Sequence, residues 1–118
     1  MEISGQAVLL RIFIGESDKL GHAPLFEAIV KRARDAGLAG ATVLKGVLGF
    51  GASARIRTTK ILDLSADLSM VVEIVDEKSK IEAFHPLLTG LFDQAGCGGL
   101  VTLETVEVIH YLPQKGAH

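Results

Sequence analysis

The chain has no tryptophan, one tyrosine, one cysteine and three prolines among its 118 residues. A single cysteine, Cys97, excludes an internal disulfide framework, and its free state fits a reducing, cytoplasmic setting. No apolar run reaches the roughly 18–20 residues of a membrane-spanning helix. The opening Met1-Glu2-Ile3-Ser4-Gly5 has neither the basic nor the apolar part of a secretory signal. Neither charge dominates: 12 Lys and Arg against 14 Asp and Glu leave a net −2. That balance speaks against nucleic acid, whose phosphates call for a basic face. His22, His85, His110 and His118 lack any H-x-x-x-H spacing, so no metal site is expected. No G-x-S-x-G, Walker or G-x-G-x-x-G pattern is present, and no catalytic set is assigned.

What abounds is aliphatic. Hydrophobic residues make up 48% of the chain although aromatics are only 5%, and the mean hydropathy is +0.38. Residues 1–118 are expected to make one domain, with 113–118 a frayed tail. A single copy of this size has little interior in which to hide so much Val, Ile, Leu and Ala. A homo-oligomer is therefore expected, without membrane insertion.

Gln6–Ile14 is apolar on both faces, as in a central strand covered on both sides. A polar loop from Gly15 to His22 follows, and Pro24 suits a first helical turn. Phe26, Ile29, Val30 and Ala33 recur at helical spacing until Gly37 stops the helix. Strands are expected at Ala41–Leu48, Leu68–Val75 and Leu100–Tyr111, with Ile56–Leu62 extended and 63–67 a turn. Asp76 is a natural N-cap for a helix carrying Ile81, Phe84, Leu88 and Leu91, which Pro86 should kink or restart near His85. The order β-α-β-β-α-β predicts an α+β, ferredoxin-like fold. Its four-stranded antiparallel sheet carries both helices on one face, with an extended loop or hairpin after the second strand. The bare sheet face should then be covered by other subunits. Arg11 and Glu73, mid-strand charges on that face, are expected to pair between strands or between subunits.

The most informative stretch runs from Leu38 to Arg57. An apolar strand enters Gly49-Phe50-Gly51, and Ala52-Ser53-Ala54-Arg55-Ile56-Arg57 follows. Glycine around an aromatic permits close approach of a ligand or chain, and Arg55 and Arg57, with Lys60 beyond, offer forks for an anion. Lys45 either helps there or points to water. A sharp turn bounded by solvated basic residues is the plainer alternative. Gly98 and Gly99, after the second helix, suit either a phosphate nest or a tight turn. Cys97 between glycines is a small filler or simply exposed.

Arg11-Ile12-Phe13-Ile14-Gly15-Glu16, the run Gly37 to Leu44, Gly46 to Gly51, Val72 to Asp76 and Gly99 to Thr102 together resemble the PII-like proteins of domain-of-unknown-function family 190. The likeness spans about Ala7 to Tyr111. It implies a ferredoxin-like homotrimer related to PII signalling proteins. Those bind adenine nucleotides in clefts between subunits and touch transporters or enzymes with a loop after the second strand. Where PII proteins continue with arginine and glutamine, this chain has Ala52 and Ser53, and their phosphate-loop lysine is replaced by Leu100. Members are also often encoded beside fluoride-exporting channels. The resemblance thus implies a non-catalytic regulator or sensor with an adenine nucleotide as ligand. The expected site is Gly49, Phe50, Gly51, Ser53, Arg55 and Arg57, joined by Gly98 and Gly99 from a neighbour, with residues 52–60 reaching a membrane transporter or an enzyme. A small αβ-barrel enzyme using Glu73, Arg11 or a histidine, or a purely structural oligomer, are the alternatives.

Overall fold

A computed structural model describes residues 5–50, the backbone of 57–58, and residues 68–113. Its elements are β1 (Gly5–Gly15), β2 (Lys19–Leu20), β3 (Ala23–Pro24), α1 (Leu25–Asp35), β4 (Thr42–Lys45), β5 (Leu48–Gly49), β6 (Arg57–Thr58), β7 (Ser69–Asp76), α2 (Lys78–Ala95) and β8 (Leu100–Val108). The main sheet is antiparallel with order β4-β7-β1-β8. That is the ferredoxin-like arrangement the element order predicts.

Strand alternation divides β1 between two environments. Val8, Leu10, Ile12 and Ile14 are buried beneath the helices, together with Met70, Val72 and Ile74 of β7. From α1 come Leu25, Ile29 and Ala33, and from α2 Ile81, Phe84, Leu88 and Leu91, at the spacing of one helical stripe. The other register of β1 and β7 (Leu9, Arg11, Phe13, Val71, Glu73, Val75) faces away from the helices and is only partly buried. Both sides of the central strands are apolar, yet only one is covered within the chain.

Helix ends follow local chemistry. Beyond α1, Gly37 adopts φ +79°. Its N–H donates to the Arg34 carbonyl and that of Leu38 to the Ala33 carbonyl, which satisfies two terminal acceptors. Gly96 closes α2 in the same left-handed conformation.

Five details differ from expectation. Within 15–24, residues 19–20 and 23–24 pair as a small hairpin, and Pro24 precedes α1 instead of opening its first turn. Strand β4 stops at Lys45, because Gly46 donates to the Ser69 carbonyl and Leu48–Gly49 then pairs with Arg57–Thr58 in a separate ladder. Pro86 lies inside one continuous helix that does not restart at His85. Finally, β8 ends at Val108 and not at Tyr111. Residues 59–67 lie outside the described residues, as do the strand ends and turn expected there.

Asp76 is not the N-cap either. Glu77 holds that position, and no side chain caps it. The Asp76 carboxylate is fully buried and accepts from Glu77 N–H at 2.7 Å and Ala39 N–H at 2.9 Å. It thereby ties the loop after α1 to the end of β7. A buried carboxylate is tolerable when two charge-assisted bonds replace its water.

Candidate functional site

The helix-free sheet face carries a charged centre in an apolar field. Arg11 Nε donates to Glu73 Oε2 at 2.9 Å and Nη1 to Glu104 Oε1 at 2.5 Å. The first partner is the inter-strand pair that the sequence predicts; Glu104, one strand over on β8, is new. The Glu73 hydrogen bond pushes the Arg11 pKa up, burial opposes it, and Glu104 adds to the rise. Glu73 is thus engaged as an ion-pair partner of Arg11.

Beside this cluster a cleft of about 520 Å³ opens against the loop after α1. Its apolar walls are Leu9, Val75 and Val108, and its polar groups come from Glu73, His110 and Tyr111, with the Ala39–Thr42 backbone along one edge. The loop is held from two sides: Asp76 takes the Ala39 N–H, and the Tyr111 hydroxyl donates to the Ala39 carbonyl at 3.5 Å. Across the same loop lies a smaller cavity of about 280 Å³, lined by Val30, Ala33, Arg34 and Leu38 together with Ala39–Ala41. A mostly apolar cleft of this size with a few converging polar groups suits a small organic ligand.

The residues expected to bind a ligand are placed differently. Gly49 lies in β5, extended and paired with Arg57, and a Cβ there would meet Ser69 Oγ at an ordinary 3.7 Å. Neither positive φ nor steric crowding requires glycine at this position. Phe50 presents a ring that is 69% exposed. Gly51, Ser53, Arg55 and Lys60 lie outside the described residues, as does the side chain of Arg57. Lys45 is bound to Glu16 at 2.9 Å. A Cβ on Gly99 would come within 2.8 Å of the Phe92 ring and 3.0 Å of the Phe13 carbonyl, so packing alone demands glycine there. At Gly98 nothing lies within 4 Å, and the fold makes no use of its small size.

Gly49 beside Ser69 and Gly99 beside Phe13 share one end of the sheet. The cleft residues Leu9 and Val75 lie toward the other end, by strand rise roughly 13 Å from Phe13 and roughly 20 Å from Ser69. One copy therefore does not bring Gly49 or Gly99 to the cleft. Cys97 is half-buried, and burial first, then Asp18, pushes its thiol pKa up, the reverse of what a nucleophile needs. Among the described residues no three His, Cys, Asp or Glu side chains converge on a metal position, and no helix is long and apolar enough to cross a membrane.

Comparison with known proteins agrees with the fold. A UPF0166 protein of Aquifex aeolicus is 40% identical over 102 residues, covering 86% of this chain and 92% of that protein. A UPF0166 protein of Methanocaldococcus jannaschii is 32% identical over 83 residues, 70% of this chain and 76% of that one. Among solved structures, CPII of Thiomonas intermedia, a nitrogen regulatory PII-like protein bound to ADP, AMP and bicarbonate, superposes with TM-score 0.66. That match is at 14% identity and covers 87% of this chain and 88% of CPII. The structure of a protein from Thermus thermophilus, described as PII-like and signaling, gives 0.64 at 17% identity, over 91% and 94%. At such identities these likenesses establish a PII-like fold. The family match itself spans residues 7–108. With most of its length matched, this chain belongs to the DUF190 family, the Uncharacterized ACR proteins.

Proposed function

We propose that this protein is a PII-like regulator that works by binding and not by catalysis. Copies associate through the helix-free sheet face into a homotrimer. A small anionic ligand, an adenine nucleotide by class, occupies the boundary between them. The observation that carries this is the position of the cleft, open at the rim of the very face that the chain leaves uncovered. Leu9, Val75 and Val108 offer a flat heteroaromatic ring an apolar bed, and Glu73, Tyr111 and the Ala39–Thr42 backbone offer hydrogen bonds at its edge. The bound ADP and AMP of CPII make the same ligand class reasonable here.

The phosphates would be met by a neighbouring copy. Gly49, Phe50, Gly51, Ser53, Arg55 and Arg57, with Gly98 and Gly99, form the anion-binding part of this proposal. Within one copy Gly49 and Gly99 lie at the end of the sheet away from the cleft, which favours a site shared between copies. Gly98 is the better of the two turn glycines for this purpose, since no contact of the fold occupies the space beside it. Residues 52–60 are then the element that meets a transport protein or an enzyme as ligand occupancy changes.

Light scattering combined with calorimetric titration of ATP, ADP and AMP tests this reading. A trimer with saturable sub-millimolar binding, weakened about tenfold or more by Arg55→Ala or Arg57→Ala, supports it. A stable monomer at micromolar concentration, or no nucleotide binding below millimolar, rejects it.

A further inference from the structure

Arg11 is one cation between two carboxylates, Glu73 at 2.9 Å and Glu104 at 2.5 Å, so the cluster holds one negative charge in excess. Around it the same face presents Leu9, Phe13, Val71 and Val75. Among the described residues, no further cation on the face offsets the excess. Strand β4 places Thr42 opposite Glu73 and Leu44 opposite Val71. On β8, Glu107 pairs with Gln6 and so lies in the register of the helix side. Beyond β8, His110 and Tyr111 share the cleft with Glu73 and are the remaining titratable groups toward the cluster among the described residues.

Exchanging these same groups between copies does not remove the imbalance. Every copy brings the same cluster, and three copies bring three arginines against six glutamates whatever pairs they exchange. Arginine stays charged throughout the accessible pH range, so only the carboxylates can adjust. In a single copy water screens them: Glu104 is 54% exposed and Glu73 29%. Once the face is covered, that screening is lost and a surplus carboxylate becomes costly.

We infer that association through this face is proton-linked, with assembly taking up a proton at the Arg11–Glu73–Glu104 cluster and tightening as pH falls from about 7.5 to about 5. The inference rests on the self-association proposed above. The sign follows from linkage: the state that binds more protons, here the assembly, gains as pH drops. The two carboxylates are coupled through one guanidinium, so the proton belongs to the cluster and not to either residue alone. Glu104 is the clean probe, because Glu73 also lines the cleft.

Sedimentation velocity over a dilution series at pH 5, 6 and 7.5 tests it, with circular dichroism confirming that each variant is folded. For the wild type, affinity should rise by up to about tenfold per pH unit per protomer. Glu104→Gln should flatten that dependence and associate at pH 7.5 more tightly than the wild type. Glu107→Gln, on the other side of β8, should keep the wild-type slope. An assembly with the same affinity at all three pH values overturns the inference and leaves the self-association reading standing. A slope that survives Glu104→Gln also overturns it and moves the proton to His110. A chain that stays monomeric throughout overturns both.

Discussion

Replacing Asp76 should damage both stability and the cleft, by an amount the structure allows to be worked out. Its carboxylate is fully buried and accepts from two backbone N–H groups, Glu77 at 2.7 Å and Ala39 at 2.9 Å. Hydrogen bonds to a charged group contribute about 1.5–3 kcal/mol each. Asp76→Ala loses both, but the two orphaned donors are not equivalent. Glu77 is exposed at the start of α2, where its N–H can turn to water. Ala39 is half-buried behind the loop, and its N–H has less to turn to. Relief from burying the carboxylate offsets part of the loss, leaving a net cost of about 2–4 kcal/mol, a large share of a domain's ~5–15 kcal/mol. Asp76→Asn keeps one acceptor oxygen but sets an NH₂ group against the second donor, so it should cost about half as much. Urea unfolding at fixed protein concentration reads the stability, since an oligomer's midpoint shifts with concentration. Hydrogen exchange at Ala39 reads the loop. A cost below about 0.5 kcal/mol in Asp76→Ala, with Ala39 protection unchanged, would refute this account of how the loop is held.

Gly99→Ala should destabilise by about 1–3 kcal/mol, because its methyl would sit 2.8 Å from the Phe92 ring, whereas Gly98→Ala meets nothing and should be close to neutral. Equal melting temperatures for the two would contradict that distinction. Pro86→Ala should stabilise α2 by at least about 1 kcal/mol, since it restores an N–H inside a continuous helix; unchanged or lower stability would count against it. Burial and Asp18 hold the Cys97 pKa above its ordinary value, so at pH 7–8 less thiolate is present and alkylation should run slower than for a free thiol. Iodoacetamide kinetics in the folded protein check this, and a rate matching or exceeding the free thiol would show the environment to be wrong.

The framework was legible because each main element carries its own period. Val8, Leu10, Ile12 and Ile14 alternate as a strand must, and Ile81, Phe84, Leu88 and Leu91 repeat as a helix must, so the chain order alone yields the sheet. Asp76 misled because a short acid before a helix usually caps it; here the long-range Ala39 N–H competes for the same carboxylate. A restart at His85 does not occur, because the cost of a mid-helix proline is outweighed by packing of the α2 stripe.

The cleft was harder to see. Ala39, Gly40 and Ala41 are small, uncharged residues whose importance comes from where Gly37 turns the chain. His110 and Tyr111 read as the end of a strand, and Glu104 as one acid among several. Nothing in their spacing says that they meet Glu73 or Arg11: strand register brings Glu104 to Arg11, and the segments beyond α1 and β8 bring the others to the cleft that Glu73 lines. Glycine, by contrast, drew attention at Gly49, where an added Cβ would make only an ordinary contact with Ser69 Oγ.

The central claim is that the cleft beside the Ala39–Thr42 loop binds a nucleotide, and one titration tests it most directly. Gly40 lines the cleft, and a Cβ built there meets no atom within 4 Å, so Gly40→Leu should fill the space without disturbing the fold. Calorimetry with ADP should give saturable binding in the wild type and a loss of about tenfold or more in Gly40→Leu, with both proteins melting alike. Equal ADP affinity in the two would contradict the claim, as would a wild type that binds no ADP at all.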